Sequence, residues 1–367
     1  MSKGRTVDKP FLIIVLILII GGFLIFSSAS LGLLTQGSEK FSQVTFNQTV
    51  LGLVGGMIFG LITWKLDYRI WRKYALLVFI FAIILNILLF IPGLGISHGG
   101  ARRWIDLGFI SFQTSEILKI GFIIYLAAWL SSIKEKVSDL YLGLLPFCVL
   151  LVVPAVLLML QPDTDTLAIL FMTSLAMFFT AGGKWRHVLL LVVVGLLALG
   201  AIALSHPYVM QRITTFLNPE QDPLGASYQI QQSLIAIGSG GTFGRGFGKS
   251  LQKFNNFLPE PIGDSIFAVM AEEFGFVGSV GLIFLFIAFA IRGFMISVRA
   301  PDSFGGLLTL GIVILIVSQS FINIGAMLGV LPLSGIPLLF VSHGGTALFI
   351  TLVEVGIILN ISKQSHV

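Results

Sequence analysis

The chain is short of charge. Asp, Glu, Lys and Arg together make up 11% of its 367 residues, under half the share in a soluble globular protein. That excludes an ordinary water-soluble domain. Cysteine occurs once, as Cys148 inside an apolar run, so no intrachain disulfide can form and thiol usage indicates no compartment. Histidine is also scarce. Ser-His-Gly-Gly occurs twice, at 97–100 and 342–345, but no Cys/His/Asp cluster at ligand spacing accompanies the two histidines, so a shared metal is not expected. The formal charge of +5 reads as a cytoplasmic bias of Lys and Arg, and no nucleic-acid partner is expected.

Apolar residues are abundant: 56% of the chain is hydrophobic and the mean hydropathy is +0.99. Several uninterrupted runs could cross ~30 Å of hydrocarbon. The expected fold class is an all-α polytopic membrane protein. Hydropathy predicts about ten transmembrane helices, near 10–34, 47–64, 74–91, 114–131, 141–160, 166–182, 187–205, 264–291, 305–328 and 343–361. The first follows Lys3, Arg5 and Lys9 and is too long for a typical signal-peptide core, so it reads as a retained helix. With that end in the cytoplasm, Lys65, Arg69, Arg72, Lys73, Lys134, Lys136, Lys184, Arg186, Arg292, Arg299 and Lys363 also fall inside. Both termini are therefore expected to be cytoplasmic.

Apart from Lys40 and Lys119, the cations outside that set gather in two outer loops. One is 92–113, with Arg102 and Arg103. The other is the large extracytoplasmic loop between spans seven and eight, about 206–263, with Arg212, Arg245, Lys249 and Lys253. Loops that long are functional or disordered, and this one is too apolar and aromatic for disorder. It is expected to hold short surface helices, one near 229–238. The whole of 1–367 reads as a single membrane domain.

The chemistry centres on Leu258–Gly278. Asp264 follows a Pro/Gly turn and precedes an apolar run, within which Glu272 and Glu273 are unusual for a membrane. Asp264 could simply cap the next helix, although Phe267 rules out a capping box. On a helix Asp264 and Glu272 would stand ~12 Å apart, too far to share a proton. Glu116 and Lys119 lie on one helix face, as a structural pair or as a cavity wall. Arg102-Arg103-Trp104 suits either a headgroup anchor or a phosphate clamp. Turn and capping duty explains Asp163 and Asp165, and interhelical bonding explains Gln319, Asn323 and Glu354. Gly248-Lys249-Ser250 is no P-loop, because Phe243 stands where the pattern needs glycine. The glycines around it point to tight turns and close backbone approach.

Six stretches in order, GGARRWIDLGFISFQTSEILKI, QPDTDT, NPEQDPLGASYQIQ, GSGGTFGRGFG, LPEPIGDSIFAVMAEEFGFVG and GVLPLSGIPLLFVSHGGTAL, resemble the SEDS family, the FtsW/RodA group. The match spans nearly the whole chain. NPEQDPLG, KLDYRIWRKYA and the Lys253 context are closer to the FtsW branch than to RodA. Thr114, Asp165, Gly263, Ser265, His343 and Thr346 depart from the residues usual in the family at those places.

The resemblance implies a peptidoglycan glycosyltransferase of the bacterial cytoplasmic membrane. It would polymerise lipid II into glycan strands on the outer face, for septal wall synthesis in division, with an elongation role as the alternative. Its implied partners are lipid II and nascent glycan, a class B penicillin-binding protein, other divisome proteins and membrane lipid. Asp264 aligns with the essential aspartate and would be the base. Arg102, Arg103, Glu116, Lys119, Lys253, Gln232, Ser342 and His343 are the expected substrate and pyrophosphate contacts, with Asp163 and Glu272 as further polar cavity residues. No tightly bound cofactor is implied, though a divalent cation such as Mg or Mn could assist. Small residues such as Gly305, Gly306 and Gly311 could let a single-helix partner dock.

Two other classes compete. A flippase for lipid-linked precursors should place its ions near the bilayer midplane, at interrupted helices. A non-enzymatic scaffold gives no reason for an acid facing outer cations.

Overall fold

The computed structural model describes residues 6–98, 101–106, 111–220, 222, 225, 227–254 and 257–365. Lys3 and Arg5, two of the expected cytoplasmic cations, lie outside the described residues, as do parts of the 92–113 and 206–263 loops.

Apolar sequence in lipid must satisfy its own backbone, and a helix does so within one segment. The chain accordingly runs α1 Lys9–Ser30, α2 Ser38–Phe46, a π-helical stretch Asn47–Gly55, α3 Gly56–Lys65, α4 Arg69–Lys73 and α5 Ala75–Leu88. After strands β1 Gly95–His98, β2 Ala101–Asp106 and β3 Ser111–Gln113 come α6 Thr114–Ile133, α7 Leu145–Leu160, α8 Thr164–Thr180 and α9 Trp185–Ser205. Two shorter helices, α10 Pro207–Leu217 and α11 Tyr228–Ser239, precede α12 Ile266–Val298, α13 Ser303–Met327 and α14 Gly345–Gln364. Among the described residues, 8 helical segments are long and apolar enough to span a membrane. The apolar helices α5 and α8 are shorter and fall at the other two expected spans. The protein is an integral, multi-pass membrane protein.

The 92–113 loop departs from an all-helical fold. It holds a three-stranded antiparallel sheet in the order β1-β2-β3, with Trp104 opposite Ile96 on one side and Gln113 on the other.

Helix α14 is the most enclosed, with α6 and α13 next, whereas α9 has little packed against it. Close approach of α3 to α14 depends on missing side chains. A Cβ on Gly60 would meet the Leu352 carbonyl oxygen at 2.7 Å, and one on Gly356 would meet that of Gly60 at 2.2 Å. The same logic corrects the expected docking face. Gly305 packs under the Tyr68 ring, Gly306 against the Ser297 carbonyl, and Gly311 against Met177 and Ile123. These glycines serve internal packing.

One end of the bundle gathers the sheet, the α7–α8 turn, the described parts of the 206–265 segment and the α13–α14 loop. The opposite end joins the N-terminal segment to α12 through Asp8–Arg292 at 2.6 Å, and Tyr68 to α14 through Asn360 at 3.0 Å.

Candidate active site

Helix α12 is two helices in sequence. Gly275 has φ 66° and ψ −163°, outside helical geometry, and breaks the run. The glycine-rich loop fills the break: Arg245 and Gly246 donate backbone N–H to the carbonyls of Glu272 and Glu273, and Phe276 and Val277 donate to Gly241 and Thr242. A Cβ on Gly244 would lie 2.1 Å from the Glu273 carbonyl oxygen, so only glycine fits there. The expected close backbone approach is thus present. An interrupted helix is what a transporter would need, but this gap is occupied by protein backbone rather than open to an ion.

The short first half of α12 starts at Ile266, directly after the turn carrying Asp264. Three residues, from α13 and the α13–α14 loop, hold that turn through its backbone. Asn323 of α13 donates its amide to the Asp264 carbonyl at 2.8 Å and to Ile336 at 2.9 Å. Ser342 Oγ donates to the Gly263 carbonyl at 2.7 Å, and the His343 amide donates to Ile262 at 2.7 Å. Gln48, in the π-helical stretch, braces the last of these: its Nε2 donates to the Ser342 carbonyl, and its Oε1 accepts from the Gly344 amide.

The backbone of Asp264 is therefore fixed while its carboxyl is left available. Ser265 occupies the cap position of α12, so the capping explanation for Asp264 does not hold. Its Oδ1 is shielded from solvent and has no hydrogen-bond partner, although the residue as a whole is only half-buried. Burial is the largest influence on this carboxyl and raises its pKa to about 7. The Gln229 amide opposes that, and the nearby Glu260 charge adds to it. A carboxyl titrating there is a competent base at neutral pH.

Glu116 and Lys119 form the expected pair, 2.8 Å apart and both buried. Lys119 also donates to Gln319 Oε1 at 2.6 Å, and Gln319 Nε2 donates to the Pro337 carbonyl. The pair is thereby connected to the loop that clamps Asp264. Glu354 lies within electrostatic reach of both charges.

Several expected contacts have other partners. Lys253 is buried, and its ammonium donates to Glu273 at 2.6 Å and Ser28 at 3.0 Å, so it is held inside the fold rather than presented to pyrophosphate. Glu272 is fully buried. It accepts from Ser250 Oγ and the Leu251 and Gln252 amides and pairs with Arg245. Arg103 ties β2 to the α7–α8 turn, donating to the Gln161 and Pro162 carbonyls and pairing with Asp163 at 3.7 Å. Asp163 also caps α8, the turn duty expected of it. Arg102 is exposed. His343 stacks on Phe26, and burial lowers its pKa to about 4, so it is neutral at pH 7. Gln232 is half-buried, one turn along α11 from Gln229, the residue that reaches the Asp264 turn through Ser265 at 3.0 Å. Gln48, Gln229 and Ser265 were missed as site residues, although Gln48 carried a signal as a polar residue entering an apolar run. Among the described residues, no group of three or more His, Cys, Asp or Glu side chains could hold a metal ion.

A family model for cell cycle proteins, covering FtsW, RodA and SpoVE, matches residues 8–367. The chain is similar to the stage V sporulation protein E of Bacillus subtilis, with 37% identity over 100% of this chain and 99% of the relative. It is also similar to a protein of Geobacter sp. strain M18 named as a probable peptidoglycan glycosyltransferase FtsW, with 35% identity over 99% of both. A solved structure described as "Structural coordination of polymerization and crosslinking by a peptidoglycan synthase complex" superposes with a TM-score of 0.76. It is 28% identical and covers 94% of this chain and 97% of its own.

Proposed function

Because the chain belongs to the FtsW/RodA/SpoVE family of cell cycle proteins, we propose that it is a peptidoglycan glycosyltransferase that polymerises lipid II into glycan strands. The observation that carries this reading is the Asp264 carboxyl, with one oxygen shielded and unpartnered on a turn whose backbone is held by Asn323, Ser342 and His343.

The reaction joins two disaccharides. The 4-hydroxyl of one attacks C1 of the other, a new C–O bond forms, and the bond from C1 to the polyprenyl pyrophosphate breaks. Asp264 accepts the hydroxyl proton. The pyrophosphate leaves as an already stabilised anion and needs no general acid, unlike the leaving group of a glycoside hydrolase. A single displacement inverts the anomeric centre, so an α-linked donor becomes a β-linked product. Positive charge near the leaving group assists, and the exposed Arg102 is the proposed source of it. A divalent cation would enter with the pyrophosphate rather than through a protein cluster.

The site lies on the outer face of the cytoplasmic membrane in this reading, because the opposite end carries Lys65, Arg69, Lys134, Lys184, Arg299 and Lys363. A class B penicillin-binding protein is the proposed partner, supported by the match to a chain of a synthase complex. FtsW-named relatives support a septal role in division, with other divisome proteins as neighbours. The sporulation relative supports a sporulation-specific role as the second reading, and depletion during vegetative growth separates the two. The activity itself is tested with purified protein, its cognate transpeptidase, lipid II and a divalent cation. Glycan strands on a gel are the expected result. Movement of lipid II across liposomes without strands would favour the flippase.

A further inference from the structure

We propose that the glycine-rich loop, residues 240–251, is an interfacial anchor that seats the Asp264 end of the fold on the bilayer surface, with Phe243, Phe247 and Leu251 in the lipid and Arg245 and Lys249 on the phosphates of anionic phospholipids. Inward and outward residues alternate along this loop. Gly244, Gly246 and Gly248 have φ of 78°, 100° and 79°, the left-handed region that glycine enters without a steric penalty. Between and beside them Phe243, Arg245, Phe247, Lys249 and Leu251 are all exposed. The outward series is apolar and cationic in turn, and 240–251 contains no acidic residue.

An exposed aromatic cluster marks an interaction surface, and two observations select lipid as what covers this one. The first is continuity. The loop is bonded to α12 through the Phe276 and Val277 amides, and the Phe243 backbone packs on Gly275. Phe243 is 79% and Phe276 67% exposed, and the exposed series continues along α12 at Phe284, Ile287 and Ile291. That spacing is one face of a helix, the face a membrane span turns to lipid, and the loop extends its upper end.

The second is depth. Residues 276–298 measure about 34 Å at 1.5 Å per residue, enough to cross ~30 Å of hydrocarbon by themselves. The break at Gly275, and the loop that fills it, therefore fall at the hydrocarbon boundary. Irregular backbone exposed to lipid is excluded from the hydrocarbon itself. At the boundary it is tolerated, and Phe and Leu beside Lys and Arg are the composition of a segment lying on an anionic membrane.

The charges agree. Beneath the loop, Glu273 is answered by Lys253 at 2.6 Å, and Glu272 by the Ser250 hydroxyl and the Leu251 and Gln252 amides. Arg245 Nε approaches Glu272 at 3.4 Å while its side chain stays 39% exposed, so the pair holds the guanidinium at the surface instead of burying it. Lys249 adds a second positive charge on the same face.

The test uses the full chain in vesicles of phosphatidylcholine with and without phosphatidylglycerol. With Cys148→Ser, a cysteine introduced as Phe243→Cys or Phe247→Cys is the only thiol and takes a bimane label. Nitroxide phospholipids should quench both labels, and iodide should reach them about threefold more slowly than a label at Glu220→Cys, as expected for apolar groups below the headgroups; Glu220 is exposed in a polar stretch. At 247, nitroxide phosphatidylglycerol should quench about fivefold better than nitroxide phosphatidylcholine, the value of one lysine near an anionic surface, and Lys249→Gln should remove that preference. The two positions are labelled in separate proteins, so misfolding of one leaves the other to decide. Labels as open to iodide as that at 220, or quenched equally by the two phospholipids, would overturn the proposal. So would lipid quenching that disappears when the purified transpeptidase is added, because the face would then belong to a protein partner.

Discussion

The Lys253 ammonium lies 2.6 Å from Glu273 Oε1, and neither side chain has meaningful contact with solvent. This pair closes the glycine-rich loop onto α12, with Ser28 of α1 completing it. Breaking one side strands the other charge in the protein interior. Lys253→Met should therefore destabilise the protein by about 3–5 kcal/mol, seen as a lower thermal midpoint in detergent. Replacing both partners with apolar residues should recover much of that loss. A midpoint unchanged in the single variant would mean that Lys253 is not held as described.

The two adjacent arginines should separate by readout. Arg103 is fastened to the α7–α8 turn, so Arg103→Ala should lower the thermal midpoint. Arg102 is exposed, so Arg102→Ala should leave the midpoint alone and raise the KM for lipid II about 3–10-fold, the value of one exposed charge–phosphate contact. Equal effects on both measurements would contradict the assignment of Arg102 to substrate.

Strand formation should depend on the protonation of Asp264. The base works only when ionised, and burial sets its pKa at about 7. The rate should level off above that pH and fall towards tenfold for each unit below it, as measured by initial rates between mildly acidic and mildly alkaline buffers. A profile flat from pH 5 to 8 would contradict a base with that affinity.

Glu116 neutralises Lys119, and Lys119 in turn holds Gln319, which bonds the loop clamping Asp264. Glu116→Ala removes the paired carboxylate of a buried ammonium and leaves it only Glu354 nearby, a loss of about 3–5 kcal/mol. Both the thermal midpoint and kcat should fall. A variant with unchanged stability and rate would show that the pair is not coupled to the turn.

Much of this was legible in the chain itself. The ten apolar runs gave the helices, since a membrane leaves the backbone few alternatives, and the spacing of Glu116 and Lys119 gave their pairing. Asp264 stood out by its place between a turn and an apolar run. Charge partners across the fold could not be read. Lys253 and Glu273 are near in sequence, but their pairing needs the break at Gly275 and the loop that fills it. Arg103 meets Asp163 only because the α7–α8 turn comes against the sheet. Gln48 and Gln229 carry no charge and reach the site from distant segments, so, apart from the polarity of Gln48 at the start of an apolar run, only the folded arrangement reveals them. The small sheet was missed because its short strands lie in a loop whose polarity and glycines mask any alternation.

The most direct measurement compares wild type with Asp264→Asn, each purified with the cognate transpeptidase and supplied with lipid II. Asparagine preserves the size of the side chain and leaves the backbone bonds from Asn323, Ser342 and His343 in place, so the variant should fold with an unchanged thermal midpoint. Strands from the wild type and none from the variant are the expected result. Full-length strands from a folded Asp264→Asn protein would contradict the account at its centre.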